Sequence, residues 1–292
     1  MNPMLFNMKT NIDRKTVAGF GDEWTRFDQS NLNPAERNII FNKYFKIFPW
    51  GNLPPSAEGY DMGCGSGRWA KLVAPKVGKL HCIDPSSAIK VAIQNLKEYK
   101  NCQFHTAGVG EKIFADNSMD FGYSLGVLHH VPDTQDGINQ CVRYLKPGAP
   151  FLIYIYYRFD NRSRPYRWIW QMSEVIRFVV SRSPHSIRYL LSQFFAASIY
   201  YPLAKIAKIL EKLGVNSQIA EKMPLGMYRN LSFYTMRTDA LDRLGTRLEK
   251  RFTKDEITSM MNKAGLSDIK FSDNAPFWCA VGIKNITICA AS

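Results

Sequence analysis

The sequence predicts an α/β fold with a mostly parallel sheet, a helical insertion after the fifth strand, and a return to the sheet near the end of the chain. Three observations carry this expectation. Strand-like and helix-like stretches alternate between residues 55 and 158, the pattern of strands joined by crossover helices. The stretch YDMGCGSGRWA at 60–70 places Gly63, Gly65 and Gly67 where the first strand meets a helix. Residues 165–213 then show helical spacing without a strand signal, and the strand–helix pattern resumes at 253–290.

The elements follow in order. Residues 34–48 open with Pro34 and space Ile39, Ile40, Phe41, Tyr44, Phe45 and Phe48 as an amphipathic helix. PWGNLPP at 49–55 is a cluster of breakers. A short strand ends near Met62 and a helix starts near Arg68. KLHCI (79–83) reads as a strand and residues 86–99 as a helix begun by serine. CQFHT and MDFGYSL are short strands, DTQDGINQCVRYLKPG is a helix stopped by Pro-Gly, and APFLIYIYY (149–157) is a buried strand. In the insertion, Trp168, Met172, Val175, Ile176 and Val179 share one helix face. In 202–214, Leu203, Ile206, Leu210 and Leu213 oppose Lys205, Lys208 and Lys212. Thr253 and Glu256 form a capping box before a helix that ends at Gly265. LSDIKFS and FWCAVGIKNITI close the sheet. The strand before the glycines, AEGYD, is poorly apolar for a central position.

A chain of 292 residues has ample core and an ordinary globular composition. Its six cysteines show no CxxC pair and no zinc spacing, which fits a reducing, cytoplasmic setting, and no metal is expected. The opening MNPMLFNMKTNIDRK lacks the apolar core of a signal peptide. The most apolar run, FFAASIYYPLA at 194–204, is interrupted by Pro202 and is too short to span a bilayer. The net charge is +13, and between Arg158 and Arg229 twelve Lys/Arg face four acids. That block is a solvated face, a surface for anionic membrane, or a nucleic-acid surface.

The glycine turn departs from G-x-G-x-x-G, because Arg68 stands where the third glycine belongs. A tight turn followed by a helix start brings backbone N–H groups against a ligand, and Asp84 sits where an acid accepts ribose hydroxyls. Together, YDMGCGSGRWA, CIDPSS, FADNSMDFGYSLGVLHHVPD (114–133) and LKPGAPFLIYIY resemble the class I S-adenosylmethionine-dependent methyltransferases of the type 11 kind. The resemblance covers 55–158 and, weakly, 253–290. It implies a Rossmann-like seven-stranded sheet whose last strand is antiparallel, with the cofactor S-adenosylmethionine across the carboxyl ends of the first strands. The chain then divides into an N-terminal helical segment (1–54), a cofactor-binding core (55–158), a helical insertion closing over the acceptor (159–252) and a return to the core (253–292).

On this resemblance the cofactor contacts are Asp61, Gly63, Cys64, Gly65, Gly67, Asp84, Pro85, Leu125, Gly126 and, from the N-terminal segment, Trp24. The family's adenine-side Asp is replaced by Gly108, so that end falls to the backbone at Val109 and Gly110, or to Glu111. Asp61 orients the glycine loop. His129 and His130 follow the fourth strand, and histidine suits proton removal near neutral pH. Either can be the general base, with His130 preferred, or serve only to orient the loop. Tyr157, Arg158, Tyr228 and Arg237 are candidate substrate contacts. The implied reaction is methyl transfer to a hydroxyl or amine of a small molecule, sugar or lipid-linked intermediate. An RNA methyltransferase and a binding protein without catalysis stay open as alternatives, although neither Asn/Asp-Pro-Pro-Tyr nor a Pro-Cys nucleophile occurs.

Overall fold

In the computed structural model, residues 10–286 are described. The opening MNPMLFNMK, the end of the last strand-like run and Cys289 lie outside them. Seven strands form one sheet: β1 (Glu58–Met62), β2 (Lys79–Ile83), β3 (Cys102–His105), β4 (Phe121–Leu125), β5 (Pro150–Tyr154), β6 (Leu266–Phe271) and β7 (Cys279–Lys284). The order is β3-β2-β1-β4-β5-β7-β6, with β7 antiparallel to both neighbours and the first five strands parallel. The order reverses at β1 and β4, the place where such sheets open a crevice beyond their carboxyl ends.

Helices cover both faces. One core packs Phe41, Phe45, Trp69, Ile89 and Leu96 against the sheet, from α2 (Pro34–Tyr44), the short α3 (Ala70–Val73), α4 (Ala88–Asn95) and their flanks. The opposite core is built on α5 (Thr134–Tyr144) and α11 (Lys254–Lys263), with Ile138, Val142, Ile257 and Met261. Asp133 caps α5 through Asp136 N, and the Thr253–Glu256 capping box starts α11.

The weakly apolar β1 is nevertheless buried from Gly59 to Met62. The reason lies in its pairing with β4. Gly59 stands opposite Phe121, and Tyr60 opposite Gly122. A Cβ at Gly59 would lie 2.3 Å from the Phe121 ring, and one at Gly122 2.2 Å from Tyr60. Each glycine therefore gives up its side-chain volume to the aromatic ring across the strand. The Tyr60 hydroxyl reaches past β4 to the Cys141 carbonyl at 2.7 Å, so its one polar atom is satisfied.

Contacts divide the chain into two units. The sheet unit takes the chain up to Thr25, Asn38–Asp160, and everything from Leu248 on. The second is Arg26–Arg37 with Asn161–Arg247. The return to the sheet thus starts at Leu248 rather than at 253, because Phe252 forms a parallel bridge with Tyr157 beyond the end of β5. The second unit is helical: α6 (Arg164–Val180), α7 (His185–Phe195), α8 (Tyr201–Lys212), α9 (Ser217–Lys222) and α10 (Phe233–Gly245). A π-turn at Ala196–Tyr200 joins α7 to α8 without a break. Pro202 therefore does not stop the helix: it sits in the first turn of α8, where a missing N–H is tolerated. The face buried by α8 is also not the expected leucine face. Ala204 and Ala207 go inward while Ile206 and Leu213 stay exposed.

The β1–β4 seam gives a direct test. Gly59→Ala forces a methyl into a ring with no room to move and should cost about 1–3 kcal/mol in denaturant unfolding, the range for overpacking. Gly51→Ala, where no atom lies within 4 Å of the new methyl, serves as the neutral control.

Candidate cofactor and active site

The turn after β1 is tied to β2 and its exit by hydrogen bonds. Gly63 N and Cys64 N donate to the Ile83 carbonyl at 2.8 and 2.9 Å. Gly65 N donates to Asp84 Oδ2 at 2.9 Å, while Asp84 Oδ1 accepts from Ser86 N and Oγ at 2.8 and 2.6 Å. Burial raises the Asp84 pKa, and the bonds from Ser86 and Gly65 oppose that rise. Asp84 is thus a loop-organising carboxylate that joins the first two strand exits. Pro85 follows it half-buried.

Gly63, Gly65 and Gly67 all have positive φ, at 82°, 53° and 75°, which accounts for glycine at alternate positions. Protein atoms lie close against each. A Cβ would meet Val127 at Gly63, the Trp24 indole at Gly65 and Leu96 at Gly67. The turn is therefore packed between the loop after β4, the N-terminal helix and the end of α4. Gly126, also at positive φ, has nothing within 4 Å of a Cβ, and its N–H donates to the Tyr154 carbonyl. Leu125, just before it, is buried at the end of β4.

At the head of this turn Asp61 is buried, and its Oδ2 has no hydrogen-bond partner. Desolvation pushes its carboxyl up to about 8; the neighbouring Tyr123 hydroxyl pulls it down, Asp84 adds to the rise and Arg68 opposes it. Ser66 Oγ is a second buried oxygen without a partner. Cys64 is a buried free thiol whose pKa burial raises to about 11, so it is inert as a nucleophile.

The N-terminal segment lies across these loops. α1 (Arg14–Arg26) sets Gly21 against Ser87 and Trp24 over Gly65, with Arg68 5.3 Å above the Trp24 ring. Before it, Ile12 packs on Gly108 and the Thr10 carbonyl on Gly110. Val109 between them is buried. Glu111 turns back to accept from Gly108 N at 2.8 Å, so its carboxylate closes its own loop. Asn11, buried and at positive φ, donates to the Asp133 carbonyl and to Asp136 Oδ2, and accepts from Asp133 N.

The two histidines are in different states. His130 Nδ1 lies 2.7 Å from the Leu248 carbonyl. A carbonyl only accepts, so Nδ1 carries the proton and Nε2 holds the basic lone pair. His129 is fully buried, its ring 3.8 Å from His130 and 4.0 Å from Tyr156. Desolvation, with smaller contributions from His130 and Arg251, holds its pKa well below the usual histidine range. It is a neutral shelf under His130. Arg251 sits 5.0 Å above Tyr156 and pairs with the buried Glu249 at 2.7 Å.

The remaining candidates are spread out. Tyr157 carries the bridge to Phe252, and Arg158 donates to Glu256 Oε1 and the Arg251 carbonyl at 3.1 and 2.9 Å. Tyr228 and Arg237 belong to the helical unit. The Tyr228 hydroxyl donates to Asp239 at 2.9 Å, and Arg237 contacts the Gln193 and Tyr189 side chains at 2.5 and 2.8 Å. Sequence reasoning missed Val127, Phe20, whose ring lies 5.0 Å from that of His130, and Leu248, Glu249 and Arg251. Leu248 to Arg251 have no periodic signal of their own; only the capping box just after them marks where the chain rejoins the sheet. Among the described residues, no group of three His, Cys, Asp or Glu side chains could hold a metal ion.

A glycine turn and a β2-exit acid beside the strand-order reversal define an α/β domain that binds an adenosine-type cofactor. Residues 60–153 match the family model described as a methyltransferase domain. Phosphoethanolamine N-methyltransferase 2 of Caenorhabditis elegans is 32% identical over 140 residues, 46% of this chain and 31% of that relative. Demethylmenaquinone methyltransferase of Bacillus licheniformis is 28% identical over 103 residues, 34% of this chain and 44% of the relative. The chain thus matches less than half the length of each relative. The solved CurJ carbon methyltransferase shares the fold, with a TM-score of 0.50 and 11% identity over 90% of this chain and 58% of that one. Residues 60–153 thus carry a methyltransferase domain on the seven-stranded sheet, with S-adenosylmethionine as its cofactor. The residues present fit that group: the orphaned Asp61 Oδ2 suits an ammonium at the head of the turn, which Asp84 holds in place through Gly65 N.

Asp61 makes the stability of the ligand-free protein pH-dependent. Its folded pKa of about 8 is above the ordinary carboxylate value of 3.8, so between these values the native state keeps a proton that the unfolded chain has lost. The stability it contributes is complete below about pH 4 and is lost as pH rises towards 8. Asp61→Asn should flatten that part of the Tm–pH curve, as read by calorimetry without cofactor.

Proposed function

We propose that this chain transfers a methyl group to a hydroxyl or amine of a small molecule, sugar or lipid-linked intermediate. One observation carries the reading. Val127 packs on Gly63 of the cofactor turn, and the turn that begins at Val127 bonds His130 N to the Val127 carbonyl at 2.8 Å. A base-ready imidazole is therefore tied to the cofactor loop. Relatives named for phosphoethanolamine and for demethylmenaquinone support small acceptors, one polar and one lipid-soluble.

S-adenosylmethionine, when bound, supplies a methyl already activated on a sulfonium. The chain's own residues then hold and orient. Asp61 binds the amino group, an interaction that favours its carboxylate form. Asp84 and the Gly63–Gly67 turn hold the ribose side, while Trp24 excludes water. Positioning of this kind is worth about 7–11 kcal/mol. His130 takes the acceptor proton at Nε2, with Nδ1 anchored on Leu248. His129, buried and neutral, fixes the tilt of the His130 ring.

The reading is tested by transfer of labelled methyl from S-adenosylmethionine into cell extract, fractionated into lipid, soluble small molecules, protein and nucleic acid. Label in lipid or small molecules is expected. Label in nucleic acid replaces the acceptor class, and cofactor binding without transfer in any fraction makes the chain a binding protein. With an acceptor in hand, His130→Ala should lower kcat by about 10²–10⁴-fold with cofactor Kd unchanged. Asp84→Asn should instead weaken cofactor binding, read by calorimetric titration.

A further inference from the structure

Helix α6 is built inside out. Trp168, Met172, Val175, Ile176 and Val179 recur at i, i+4, i+7, i+8 and i+11, a single stripe, and every one is exposed, Trp168 at 64% and Val175 at 63%. The polar side faces its own unit. Glu174 accepts from Arg177 at 2.7 Å and from Arg243, and Arg177 also donates to the Thr246 carbonyl at 3.1 Å. A water-facing helix does the reverse, turning its apolar stripe to the core. Further apolar side chains of this unit are exposed as well: Leu190 and Phe194 on α7, Ile206 and Ile209 on α8, and Leu213 just after it. Exposed apolar surface on this scale marks a contact surface.

The surrounding charge indicates what covers it. Asn161–Arg247 carries fourteen Lys/Arg against five acids. Arg162, Arg164 and Arg167 stand at one end of α6 and Arg182 just past the other, and its one acid, Glu174, is turned inward and paired. On α8, Lys205 and Lys212 are exposed beside the isoleucines. Protein interfaces are depleted in lysine, whereas Lys and Arg stems lie along an apolar surface and carry their charges to phosphate-bearing headgroups. No helix among the described residues is long and apolar enough to cross a membrane. We propose that the helical unit docks on an anionic lipid bilayer, with α6 lying in the interface plane and its Trp168–Val179 stripe inserted among the acyl chains. This surface stands on its own observations and does not depend on methyl transfer.

The test is co-sedimentation of the full chain with vesicles of phosphatidylcholine alone and of phosphatidylcholine mixed with phosphatidylglycerol. Binding is expected only to the anionic vesicles and should weaken with added salt. Met172→Glu combined with Val175→Glu should cut it at least about tenfold. Both sites are exposed, so the melting temperature should hold and act as the folding control. Brominated acyl chains should quench tryptophan fluorescence in the wild type and much less in Trp168→Phe. No binding to either vesicle overturns the proposal, as does binding that the double variant leaves intact. Sedimentation velocity showing a dimer that the double variant dissolves overturns it in favour of a contact between two copies of this chain.

Discussion

The β1–β4 seam governs the rest of the sheet unit. Two flat strands meet there without side-chain volume at alternate positions, Gly59 under Phe121 and Gly122 under Tyr60. That close approach sets the carboxyl ends of β1 and β4 beside each other. The glycine turn leaves one of them and the histidine turn leaves the other. Val127 can rest on Gly63 only because the two strands end in register. Cofactor turn and candidate base are thus placed by packing one layer below them.

The second layer of control is electrostatic and local. Asp84 spends both oxygens on backbone and serine donors, so its burial is compensated. Asp61, near the end of β1, has one oxygen bare and a raised pKa. Two carboxylates in one buried turn therefore do different things, one holding the loop shut and the other waiting for a cation. The same contrast separates the histidines: one tautomer is fixed by a carbonyl, while the other ring is too dry to take a proton.

Much of this was legible in the residues. The alternation to 158, the glycine turn and the capping box at Thr253 all rest on local rules, and each has its counterpart in the structure; Asp84 stood out as an acid at the β2 exit, but not as the anchor of the glycine turn. AEGYD misled, because hydropathy scores a strand by its own side chains, and this strand is buried by those of its neighbour. Pro202 interrupts the apolar run at 194–204 but not the helix, which passes through a π-turn just before it. The helical stripe from Trp168 to Val179 was legible as a face, but periodicity does not say which way a face points. The packing around His129 was beyond sequence reasoning, since Arg251 and Tyr156 meet only after the chain has left the sheet and come back.

The segment from Thr10 to Trp24 touches loops that follow four different strands, and its join at Asn11 to Asp133 closes a separation of 122 residues. Contacts of that range repay their loop-closure entropy only once the sheet already exists. This segment therefore depends on the assembled sheet for its docking site. Whatever binds beneath Trp24 is bound partly by the chain's own beginning. By mass action it must in turn shift that segment towards its docked form, so that slowed amide exchange along α1 becomes a gauge of occupancy at a site it never chemically joins.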